Sequence, residues 1–131
     1  VTAPSDPPAA DSAADSAADL GARRAAEYLQ LVADGRPEAA EALLAGLADA
    51  RELVFVGAAF TAIARRTGRT LPTAMRAQAS TRQVRLGQLR DAHRRDVEGL
   101  RGWLQEAAEE VRTVTRLAEA ARLRLGEPSA R

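Results

Sequence analysis

Residues 86–125 read LGQLRDAHRRDVEGLRGWLQEAAEEVRTVTRLAEAARLRL, and the spacing of the apolar positions in this stretch decides the fold. From His93 onward, positions 93, 97, 100, 104, 107, 111, 114, 118, 121 and 125 alternate steps of four and three. They hold His, Val, Leu, Leu, Ala, Val, Val, Ala, Ala and Leu. This is a heptad seam with one polar member. A strict seven-residue repeat drifts by about 20° per heptad on a straight helix, so a helix that keeps it must supercoil around a partner. The stretch predicts a long amphipathic, coiled-coil-like helix that wants another helix along one side.

Ser80 and Gln83 have capping-box spacing, which sets the predicted start near Thr81. Gly126, followed by Pro128, sets its end. An unbroken helix of this extent is about 65–70 Å long at 1.5 Å per residue. Gly87, Gly99 and Gly102 oppose it, each costing up to about 1 kcal/mol relative to alanine. The heptad phase passes through 97, 100 and 104 without a slip, which favours the continuous helix. A bend at Gly99–Gly102 is the alternative.

Upstream of the seam, the patterning predicts a small bundle over residues 20–79. Ala25, Tyr28, Leu29 and Val32 make an i, i+3, i+4, i+7 stripe on a first helix from about Leu20 to Asp34. Gly35 stands where a left-handed cap belongs, and Pro37 opens a second helix, to about Ala48, at its first position. Asp49 and Glu52 form a capping box for a third helix, apolar on nearly every side through Leu53–Ala64. Such a helix is buried all round, so it is expected at the centre. Arg65 and Arg66 suit its last turn and Gly68 closes it. Thr70 then caps a short fourth helix from Leu71 to Ala79. Residues 1–19, rich in Ala, Asp, Ser and Pro, have too little apolar surface to offset ordering and are expected to be a disordered acidic tail, as are the end residues 127–131.

The composition agrees with an all-α protein. The 131 residues include four aromatics (Tyr28, Phe55, Phe60 and Trp103), and no cysteine. Disulfide and thiolate chemistry are therefore excluded. Every base is arginine, and the net charge of +1 hides an uneven layout. Residues 1–22 carry four Asp and no base, whereas 65–95 carry nine Arg against Asp91 alone. The longest apolar run, Leu53–Ala64, falls short of the roughly 20 residues a membrane span needs. With no basic, apolar leader at the start, a cytoplasmic location is expected and a membrane partner is not.

Few residues point to chemistry. His93 is the lone histidine and lies on the seam, where it would set register or make the interface pH-sensitive. With no cysteine and no second histidine, neither a metal nor a cofactor is expected. Glu106, Glu109, Glu110 and Glu119 alternate with Arg112, Arg116 and Arg122, the pattern of a solvated, salt-bridged face. Neither a nucleophile elbow nor a glycine-rich phosphate loop is present.

The leading expectation is a non-enzymatic interaction, scaffold or adaptor protein acting through self-association or a partner helix. Its seam would comprise Val97, Leu100, Trp103, Leu104, Val111, Val114, Ala118 and Leu125. The alternative is a nucleic-acid-binding accessory protein, or one with an acidic protein partner. Its polyanion contacts would be Arg65, Arg66, Arg69, Arg76, Arg82, Arg85, Arg90, Arg94 and Arg95. On one continuous helix those of residues 82–95 would spread around the axis rather than form a single basic face.

Overall fold

The computed structural model describes the backbone of residues 9–126 and the side chains of residues 16–125. Five helices follow one another: α1 (Ala9–Ala33), α2 (Pro37–Ala45), α3 (Ala50–Gly68), α4 (Thr73–His93) and α5 (Val97–Gly126). No strand occurs among the described residues.

The first half follows its local signals closely. Gly35 has φ 73°, and the Arg36 and Gly35 amides donate to the Leu31 and Val32 carbonyls at 2.9 and 3.1 Å. This double bond pattern closes α1 as a Schellman cap, a left-handed geometry that glycine enters without Cβ strain. Pro37 opens α2, where its missing N–H costs nothing. At α3 the Asp49 carboxylate accepts from the Glu52 amide at 2.8 Å. Glu52 reciprocates by accepting from the Asp49 amide at 3.4 Å.

Helix α3 is the centre of the molecule, packed against α1, α4 and α5. Leu53, Val56, Gly57, Phe60 and Ala64 are buried on it. The helix α1 crosses where Gly21 meets Phe55; a Cβ on Gly21 would lie 2.8 Å from the Phe55 backbone. Further along, Tyr28 and Phe60 make an edge-to-face pair with centroids 5.2 Å apart. On the other side the Trp103 indole of α5 lies directly over Gly57. Tyr28, level with Phe60, also meets Arg112 of α5, so the pairings advance together along all three helices and α1, α3 and α5 run in one direction.

Two expectations are corrected. The first is the single long helix over 80–126. The helix α4 starts at Thr73, absorbing the short fourth helix, and runs through Ser80 without pause. The chain then turns at Arg94–Asp96: the Asp96 amide donates to the His93 carbonyl at 2.8 Å, and the Leu100 amide to the Asp96 carbonyl at 2.8 Å. The break therefore falls before Gly99 and Gly102, and α5 passes through both. Gly99 is needed there for another reason, since the His93 ring occupies the space a Cβ would take. The physical cause of the turn is that α5 pairs with α3 inside the chain, and α4 must return to the start of α5 to permit it.

The second correction concerns the tail. The helix α1 reaches back to Ala9, into the segment expected to be disordered. Alanine has the highest helix propensity, and aspartates near a helix start oppose its positive end favourably. Residues 1–8 and 127–131 lie outside the described residues.

Candidate functional site

The predicted interaction seam divides into two parts. Leu100, Trp103, Leu104, Val111 and Val114 are all buried in the core, on the face of α5 that meets α3. Burying each large side chain contributes about 1.5–3 kcal/mol, so this part of the seam is the wall of the protein's own interior. Val97 is at the rim, and Ala118 is only partly buried. Leu125, on the same seam, is 87% exposed.

The reason is length. The helix α5 has 30 residues and α3 has 19, so α5 runs roughly 16 Å farther at 1.5 Å per residue. Where α3 stops, the seam continues without a partner. Ala118, Ala121 and Leu125 there border a groove of about 1120 Å³ whose opposite wall is the α3–α4 corner, including Leu71 and Pro72. The rim carries Arg66, Arg122 and Glu119.

The arginine block is also divided. Arg82 donates from Nε to Glu110 at 2.7 Å, joining α4 to α5. Glu110, expected on a solvated face, is 6% exposed. Beside this pair lies a cleft of about 580 Å³ between α4 and α5, lined by Arg85, Glu106 and Glu109 among others. Arg90 pairs with Asp91 at 3.2 Å. Arg94 and Arg95 are exposed at the α4–α5 corner, away from the end where Arg66 stands. Arg65, Arg69 and Arg76, by contrast, come together around a pocket of about 210 Å³ between α3 and α4. The α3–α4 corner brings them together, which the arrangement on a straight wheel could not show.

His93 ends α4 rather than sitting in the seam. Its Nδ1 is 3.5 Å from Asp96, and its ring covers Gly99. It is a corner residue, part of the turn between the two helices.

A polar network missed by sequence reasoning ties three helices together. Tyr28 donates its hydroxyl to Glu41 at 3.3 Å and accepts from Arg112 at 3.1 Å. Gln105 donates to the other Glu41 oxygen at 3.0 Å. Burial raises the Tyr28 phenol above its ordinary range; the hydrogen bond from Arg112 opposes the rise and the Glu41 charge adds to it. The same hydrogen bond with Tyr28 raises Arg112. Nearby, Arg101 donates to the Leu47 carbonyl beyond the end of α2 at 2.6 Å. These contacts hold the bundle together.

Among the described residues, no group of three or more His, Cys, Asp or Glu is placed to hold a metal ion. No described helix is long and apolar enough to cross a membrane. Comparison with protein-family models, curated proteins and solved structures finds no match.

Proposed function

We propose that this protein is a non-enzymatic helical interaction module that pairs through the distal part of α5, with a second copy of itself as the occupant. The observation that supports this is the seam's continuation, as Ala118, Ala121 and Leu125, beyond the end of α3 along an open groove. The two alanines make a hole and the exposed Leu125 a knob on one helix. A two-fold pairing uses each copy's Leu125 to fill the groove of the other, which satisfies an isologous interface. Small residues at the contact allow close helix approach, and the limited apolar area predicts a weak, concentration-dependent dimer.

Sedimentation of the full chain tests the reading. At least a dimer is expected at high concentration. The pair Ala121→Glu and Leu125→Glu should give a monomer with unchanged helicity, because neither side chain is among those packed against the buried core. A wild-type monomer at every concentration, or a dimer untouched by the two substitutions, would refute it.

A further inference from the structure

We propose that the pocket between α3 and α4 is a binding site for a single phosphate group carried by a small molecule, held by Arg65, Arg69 and Arg76. Between Leu53 and Arg90 the chain has seven arginines and no acid. Four of the seven are accounted for elsewhere: Arg82 with Glu110, Arg90 with Asp91, Arg66 on the distal groove, and Arg85 in the cleft beside Glu106 and Glu109. The remaining three line one pocket of about 210 Å³. Among the described residues none of the three has a carboxylate within 4.0 Å.

The pocket exists because its floor is made of small residues. Ala64 and Gly68 of α3 face Ala79 of α4, and a Cβ on Gly68 would be 3.7 Å from that of Ala79. The two backbones approach closely, and the longer arginines stand around the resulting hollow.

Helix electrostatics separates these arginines from ordinary surface charge. Bases in the last turn of α3 are favoured by the negative end of its dipole. Arg76 is placed the other way. It stands in the first turns of α4, at the positive end of that helix, with no acid in the first turn to balance it. Its Nη2 donates to the Thr73 hydroxyl at 3.1 Å, a neutral partner that leaves the charge unbalanced. A cation at a positive helix end beside two more cations is unfavourable until an anion joins them. The pocket also has a donor lacking a partner. Gln83 lines it, and its Nε2 is buried without an acceptor among the described residues. The last torsion of glutamine is soft and broad, so the side chain is free to reorient that donor.

Guanidinium forks match phosphate oxygens, often in bidentate fashion. Three arginines lining one pocket suit one compact, multiply charged group. A nucleic-acid backbone instead needs a track of bases at phosphate spacing, and the internal pairing of Arg82 and Arg90 interrupts any such track on α4.

Isothermal titration of the full chain with inorganic phosphate and with pyrophosphate, at low ionic strength, tests the site. Both should bind, pyrophosphate more tightly. Hydrogen bonds to charged groups carry enough energy that R69Q and R76Q should each weaken binding by about tenfold to a hundredfold. Q83L should weaken it by less, and R66Q and R85Q should leave it unchanged. Circular dichroism of each variant checks that the fold is retained. Absence of heat with both anions would overturn the proposal, as would equal losses in R66Q and R85Q. A third arm uses a twenty-nucleotide single strand. If it binds with a salt dependence that R66Q and R85Q reduce, the surface is a nucleic-acid track and the single-phosphate site is refuted.

Discussion

Gly57 and Gly102 show how one residue type in one fold has opposite meanings. Both are in helix interiors, where replacement by alanine ordinarily stabilises by up to about 1 kcal/mol. Gly102 is exposed, with nothing within 4 Å of the point a Cβ would occupy, so G102A should gain stability by that amount. At Gly57 the Cβ would meet the rigid six-membered ring of the buried Trp103. Overpacking of a filled core costs about 1–3 kcal/mol, so G57A should lose stability despite its better propensity. Urea denaturation of both variants reads the two signs. A stabilised G57A would mean that Trp103 does not rest on that backbone. Neither outcome follows from the residues alone, since a glycine inside an apolar run looks the same with or without an indole above it.

The pair of α4 and α5 is the element that local patterning misjudged. Heptad spacing is blind to a corner when the residues on both sides keep phase, as His93, Val97 and Leu100 do. Asp96 and Glu98 were the available signal, because acids favour a helix start. Once the chain turns, Arg82 of α4 reaches Glu110 of α5, two residues 28 apart in sequence. The helix α4 fully buries only Ala79 and Leu86, with Met75 and Leu89 partly buried against the core, so this bond adds to a thin apolar contact. Removing one partner of a buried pair costs about 3–5 kcal/mol; the half-open position of Arg82 lowers that toward about 2 kcal/mol. R82A should thus destabilise the protein and raise hydrogen exchange along α4. The double variant Arg82→Met, Glu110→Leu should recover most of the loss, because apolar replacements leave no unpaired charge. A double-mutant cycle with no coupling would show that α4 is held by its apolar contacts alone.

At the scale of the whole molecule, Tyr28 joins α1, α2 and α5 through Glu41 and Arg112. Its phenol is raised by burial, so the folded state holds that proton more tightly than the unfolded chain. The stability from this proton is complete below the ordinary tyrosine value of about 10 and is lost as pH rises through the higher folded value. The wild type should therefore lose stability above about pH 10, and Y28F should flatten that decline while losing the hydrogen bonds at neutral pH. Thermal unfolding followed from neutral to alkaline pH compares the two slopes, and identical slopes would remove Tyr28 as the titrating group. The overall layout explains why the candidate sites lie where they do. Since α5 outruns α3, the apolar groove opens at one end; since α3 and α4 meet on small residues, three arginines converge beside it.

What the sequence by itself determined are the features set within a few residues: the all-helical class, the Schellman cap at Gly35, the proline start of α2, the capping box at Asp49 and the central position of α3 with its apolar run Leu53–Ala64. Each depends on backbone hydrogen bonds or on a local stripe, both of which the neighbouring residues complete. Only the tertiary structure decided what covers the seam. Val97–Leu125 is equally satisfied by a second chain or by α3, and the choice depends on where the chain turns back. That turn placed Leu100–Val114 inside, left the end of the seam from Ala121 to Leu125 largely uncovered, buried Glu110 and gathered Arg65, Arg69 and Arg76. These are long-range outcomes, fixed by which surfaces meet rather than by the spacing of residues along one helix.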